Sequence, residues 1–85
     1  MNKQKADKLI FSYVRKIFGF AVSKLPKIDE AEELAAEITF QVYLSLLKQD
    51  KIENPDGYIF RIAQNVYAKD IGGKKLTKSI KIDDI

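Results

Sequence analysis

The stretch that decides the fold is Asp29-Glu30-Ala31-Glu32-Glu33-Leu34-Ala35-Ala36-Glu37-Ile38-Thr39-Phe40-Gln41-Val42-Tyr43-Leu44-Ser45-Leu46-Leu47. Ala31, Leu34, Ala35, Ile38, Val42 and Leu46 recur at three- and four-residue steps, the spacing that lines one face of an α-helix. Phe40, Tyr43, Leu44 and Leu47 cover the opposite side of the C-terminal half, so this helix has apolar surface in two directions and is expected to be the central one. Asp29 followed three residues later by Glu32 has the form of a capping box, and Glu30 and Glu33 in the first turn suit the positive end of the helix dipole. The helix is therefore expected to start at Asp29 and to end near Gln49.

Working upstream, Ile10, Tyr13, Val14, Ile17 and Ala21 repeat with the same period from residue 5 to residue 24, flanked by Phe11, Phe18 and Phe20. This predicts a first amphipathic helix, ended by Pro26, which lacks an N–H and disfavours helix in the residue before it. Downstream, residues 48–54 form a polar connection, and Asn54-Pro55 reads as an N-cap followed by the first helical position. Ile59, Ile62, Ala63 and Val66 make the core stripe of a third helix, predicted to run to about residue 71, where Gly72-Gly73 would stop it. Asp70, near that stripe and at the unfavourable end of the dipole, calls for a basic partner. Lys74, Lys75, Lys78 and Lys81 alternate with Ile80 and Ile82 in a stretch too short for a sheet, which reads as an extended arm. The expected fold is an all-α three-helix bundle with a short extended C-terminal tail.

With 85 residues, 46% hydrophobic and 32% charged, the chain supports one compact core and no second domain. It has no cysteine and no histidine, which excludes disulfides, thiol nucleophiles, Cys/His zinc sites and the usual neutral-pH acid/base catalyst. Enzymatic activity and a bound cofactor are therefore not expected. No apolar run is long enough for a secretory or membrane segment, so a cytoplasmic protein is the default. The net charge of +3 is unevenly spread. Residues 1–27 hold seven Lys/Arg against Asp7 alone, residues 28–47 hold five acids and no base, and residues 48–85 hold eight bases against six acids.

Two surfaces stand out as candidates for function. Glu33 and Glu37 are one turn apart on the second helix, and Phe40 and Leu44 continue the same line away from the core stripe. Such an acidic patch grading into an apolar one suits docking of a basic partner, unless Phe40 and Leu44 pack under the chain's own helices. A carboxylate-bridged two-metal site is not expected, because those sites need Glu-x-x-His motifs on four helices. On the third helix, Arg61, Gln64 and Ala68 lie opposite the core stripe, flanked by Tyr58, Phe60, Asn65, Tyr67 and Lys69. Amides read base edges, aromatics stack on unpaired bases and cations hold phosphate, so the set suits nucleic acid with exposed bases, although a solvated polar face needs no ligand.

The run Glu33-Leu34-Ala35-Ala36-Glu37-Ile38-Thr39-Phe40-Gln41-Val42-Tyr43 resembles a stretch of the bacterial sigma factors of the sigma-70 family. Glu53-Asn54-Pro55-Asp56-Gly57-Tyr58-Ile59-Phe60-Arg61-Ile62-Ala63-Gln64-Asn65-Val66 is similar to the following segment in the extracytoplasmic-function group. Together with the first helix, the resemblance covers about residues 5–71. It implies a region 2 domain in residues 1–72, with Glu33, Glu37, Gln41 and Leu44 contacting the clamp helices of the largest subunit of core RNA polymerase. It further implies that residues 48–54 and the start of the third helix capture a base flipped from the promoter −10 element. Asn54, Tyr58, Arg61, Gln64, Asn65 and Lys69 would then hold the separated non-template DNA strand. An anti-sigma factor is a further partner of the family. Residues 73–85 would begin an interdomain linker, the −35-reading domain being absent, so that the chain is expected to be the first domain alone. Three positions depart from the pattern: Thr39 stands where an aromatic is usual, Gln64 replaces a common arginine, and Lys69-Asp70 shifts the usual acid by one.

The same residues allow another reading, a protein-interaction bundle, anti-sigma-like or adaptor, whose acidic helix binds a partner with no role in DNA binding. The two readings part at the third helix, because an adaptor has no use for Arg61, Gln64 and Asn65. A basic amphipathic membrane-surface protein fits less well, since the lysines do not line one face.

Overall fold

The structure, a computed structural model, describes the backbone of residues 1–84 and the side chains of residues 1–70. Three helices follow one another: α1 (Lys3–Lys24), α2 (Ile28–Lys48) and α3 (Pro55–Asp84), with no strand among the described residues. The protein is all-α, as its hydrophobic periods predict. Helix α2 is the spine, packing along α1 on one side and α3 on the other, whereas α1 and α3 meet only over a short stretch.

The buried face of α2 is Ala31, Leu34, Ile38, Val42 and Leu46, the stripe that the sequence picks out except for the half-buried Ala35. From α1 come Ala6, Ile10, Ile17 and Ala21, and from α3 Ile59 and Ala63. Val14, expected in the core, is 44% exposed, while Tyr13, Ile62 and Val66 pack at its edge. Small alanines at 6, 21, 31 and 63 let the helices approach closely, and the larger Ile38, Val42 and Leu46 fill the space between them.

The helix ends explain where the elements start and stop. Asn2 caps α1, its side chain accepting a hydrogen bond from the Lys5 N–H at 2.8 Å, so α1 begins two residues before the apolar period does. Pro26 ends it as predicted, with the Leu25 N–H still bonded to the Ala21 carbonyl at 3.0 Å. The capping box expected at Asp29 does not form. Helix α2 starts at Ile28 with Lys27 at the cap position and no side-chain cap, because the extended conformation after Pro26 already sets the entry. Asp29 and Glu30 act instead as first-turn acids on the dipole. At its other end, the Met1 ammonium donates to the carbonyls of Leu46 (3.1 Å), Leu47 (3.4 Å) and Gln49, placing a positive charge where the dipole is negative.

The expected stop at Gly72-Gly73 and the extended tail are corrected: α3 continues through both glycines to Asp84. Glycine ends a helix only when it turns into the left-handed region. In right-handed conformation it costs about 1 kcal/mol relative to alanine, and the helix can go on. The side chains of residues 71–84 and all of residue 85 lie outside the described residues.

Candidate functional site

Helix α2 presents its second apolar set to solvent. Phe40 is 55% exposed and Leu44 and Leu47 are each 37% exposed, so none of the three is needed to fill the core. The alternative in which Phe40 and Leu44 pack beneath other helices of the chain is thereby set aside. N-terminal to them on the same side, Glu33 and Glu37 are exposed, and the Gln41 amide donates to Glu37 at 3.3 Å. Thr39, one of the departures from the family pattern, faces elsewhere: half-buried, it donates its hydroxyl back to the Ala35 carbonyl at 2.7 Å.

Glu33, Glu37, Gln41 and Ser45 form one wall of a groove of about 420 Å³, and Ile62, Asn65, Val66, Lys69 and Asp70 of α3 form the other. This groove brings together residues that the sequence assigns to two different surfaces. Glu33, Glu37 and Gln41, the docking set, face Asn65 and Lys69 of the nucleic-acid set. Glu33 and Glu37 make no ion pair with Lys69 across the groove, and Asp70 is engaged in an interaction of its own.

Comparison with known proteins returns no match: no family model, no curated protein and no solved structure. The candidate site therefore stands on its own geometry.

The remaining nucleic-acid candidates do not share one plane. Arg61 and Gln64 are exposed on the outer ridge of α3. Tyr58 is half-buried and packs against the core. Asn54 is exposed but its carboxamide oxygen is occupied, accepting from the Gly57 N–H at 3.2 Å, while its carbonyl accepts from the Tyr58 N–H at 3.0 Å. This is the cap that Asn54-Pro55 predicts. Gly57 belongs to it, because a Cβ there would come within 2.8 Å of the Asn54 side chain folded over the first turn.

What the sequence did not reveal is how α1 meets α3. Phe20 stacks edge-on with Phe60 (5.4 Å between ring centroids) and Tyr67 (6.2 Å), and the Lys24 ammonium lies 5.5 and 5.7 Å from the Phe20 and Tyr67 rings. Two aromatics of the expected stacking surface are thus engaged within the chain. Between the helices is an apolar cleft of about 170 Å³, with Tyr13, Lys16 and Asp56 at its polar rim. The Tyr13 hydroxyl donates to Asp56, and Lys16 Nζ is 3.8 Å from the same carboxylate. That hydrogen bond, with burial and the Asp56 charge, raises the Tyr13 pKa above the usual 10.0. Tyr43 is also raised, first by burial and then by the charge and hydrogen bonding of Asp7. The only sequence signal for this cleft is the pair of aromatics, Phe20 and Phe60, that fall off the core stripes of their helices.

Among the described residues no helix is long and apolar enough to cross a membrane, and no cluster of acids could hold a metal ion.

Proposed function

We propose that the chain is a transcription-initiation domain of the sigma type, which joins core RNA polymerase through the outward face of α2 and engages the non-template strand of the promoter −10 element through α3. The observation that carries the reading is the double use of α2. Ile38 and Val42 are fully buried on one face, while Phe40 and Leu44 are exposed on the other, in line with unpaired Glu33 and with Glu37. A helix that already fills the core has no folding reason to keep a phenylalanine in water, and an apolar centre beside acidic groups suits a basic protein partner. For the DNA role, support comes from the exposed Arg61 and Gln64, which neither cap a helix nor pair within the described residues. The resemblance of residues 33–43 and 53–66 to the sigma family supplies the identity of the two partners.

One observation favours the adaptor reading. The groove puts Glu33 and Glu37 across from Asn65 and Lys69, and carboxylates there oppose phosphate. The two readings separate in one experiment: co-migration with bacterial core RNA polymerase on a sizing column, followed by titration of single-stranded −10 DNA into the complex. Wild type is expected to co-migrate, and Glu33→Lys, Glu37→Lys to fail while remaining folded. Arg61→Ala is expected to keep polymerase binding but to lower the salt slope of DNA binding by about 0.7, the loss of one single-strand phosphate contact. Polymerase binding with an unchanged DNA titration for Arg61→Ala, Gln64→Ala would favour the adaptor. No binding by wild type at micromolar concentration would remove the sigma reading.

A further inference from the structure

Two apolar faces of this bundle have no partner among the described residues, and they carry opposite charge. On α1, Phe11, Val14, Phe18 and Val22 follow one another at three- and four-residue steps along a line beside the buried stripe, and Phe11 is 82% exposed. Lys8 and Arg15 border this line, one turn on either side of Phe11, and neither has an ion-pair partner among the described residues. Two other α1 cations behave differently, Lys16 turning to Asp56 and Lys24 to the Phe20 and Tyr67 rings. Asp7, the single acid of α1, lies beside Tyr43 of α2. The second face is Phe40, Leu44 and Leu47 of α2, which continues N-terminally into Glu37 and Glu33.

We propose that these two faces dock on one another between copies of this chain, head to tail, with α1 of one copy on α2 of the next. Charge selects this arrangement over a symmetric one. An α1-to-α1 contact sets Lys8 and Arg15 near their own copies, and an α2-to-α2 contact does the same to Glu33 and Glu37. Like charges meeting in that way are unfavourable, whereas the mixed contact removes both repulsions and sets Lys8 against an acid. The spacings also agree. With the helices parallel and Phe40 beside Phe11, the seven-residue step puts Leu47 beside Phe18, and the three-residue step back puts Glu37 beside Lys8. Each face has only three or four apolar side chains, well short of the ~800 Å² per partner of a standard interface, so the dissociation constant is on the order of 0.1 mM. Because the contact joins two different faces, each copy keeps one face open and assembly continues past the dimer. The proposal does not depend on the polymerase reading, but it uses the same α2 face, so self-association and partner docking there exclude one another.

Sedimentation velocity from about 5 to about 500 µM, bracketing that constant, is the test. Wild type is expected to rise from monomer to species beyond the dimer. Phe11→Ser and Phe40→Ser, at exposed positions where circular dichroism should show an intact fold, are each expected to stay monomeric alone and to stop at a dimer when mixed, since each supplies the face the other lacks. Lys8→Glu and Glu37→Lys are each expected to weaken association about fivefold, and both changes in one chain to restore it. Wild type that remains monomeric throughout would overturn the proposal. So would Phe40→Ser that still dimerises alone, which would mean a symmetric α1 contact, or a charge swap that restores nothing.

Discussion

Truncating Ile38 and Phe40 to alanine, one at a time, tests the claim that the two faces of α2 do different jobs. The residues are two apart, so they point to opposite sides of the helix. Ile38 is fully buried, and an isoleucine-to-alanine cavity costs about 2–5 kcal/mol, of which alanine's better helix propensity returns roughly 0.4. A net loss of about 3 kcal/mol is expected. Phe40 is 55% exposed, so less than half of its surface is covered, worth roughly 1 kcal/mol, and alanine returns about 0.5 of that. The net loss is then near 0.5 kcal/mol. In urea unfolding followed by helical circular dichroism, with a slope near 1 kcal/mol/M for a chain of this size, the midpoints should fall by about 3 M for Ile38→Ala and about 0.5 M for Phe40→Ala. A Phe40→Ala shift approaching that of Ile38→Ala would show that Phe40 is part of the core. The outward face of α2 would then not be spare surface, and both the docking proposal and the self-association proposal would lose their main support.

Two further outcomes follow from local geometry. Asn54→Ala removes the cap of α3 and should cost about 1 kcal/mol in thermal or urea unfolding. Gly57→Ala made in the Asn54→Ala background should recover roughly that amount through helix propensity, but should gain less in wild type, where the new methyl meets the Asn54 side chain; equal gains in both backgrounds would contradict the cap geometry. Tyr13 is held protonated in the folded state, so its folded pKa lies above the unfolded value near 10. Its contribution is fully present below pH 10 and is lost as pH rises through the folded pKa. Tyr13→Phe should therefore narrow its stability gap to wild type above pH 10, and a gap that does not change between pH 8 and pH 11 would refute the linkage.

How much of this was legible in the sequence depends on what each residue's signal encodes. The α2 stripe is readable because all six of its positions are apolar at helical spacing without competing residues, and tertiary packing buries five of them on the face the period marks. On α1 the aromatics blur the phase, so the period points Val14 into a core that leaves it 44% exposed, while the buried Ala6 gives little signal because a small residue contributes little to a period. The two misplaced ends share a cause. Capping residues and glycines are preferences worth about 1 kcal/mol, which neighbouring backbone can override. Pro26 set the start of α2 one residue ahead of Asp29, and α3 passed through its glycines. That Glu33 and Glu37 face Asn65 and Lys69 across a groove is beyond reach of the sequence, which gives the faces of each helix but not the rotation of one helix against the next.

That rotation constrains where a strand of nucleic acid can lie if α3 holds one. The α2–α3 groove is larger than the α1–α3 cleft, yet Glu33 and Glu37 on its α2 wall repel phosphate, and Lys69 opposite them offers a single compensating charge. The other flank of α3 is partly occupied, since Phe20 of α1 packs edge-on against Phe60 and Tyr67 there and Lys24 lies over the Tyr67 ring. The outer ridge between these flanks carries Arg61 and Gln64, both exposed and neither lining the acidic groove, and Arg61 makes no ion pair among the described residues. Phosphates are therefore expected along the ridge, with Asn65 and Lys69 reached from its groove side. On this route, charge reversal at Glu33 and Glu37 removes a repulsion and so strengthens DNA binding while abolishing polymerase docking, opposite effects that a shared requirement for folding could not produce.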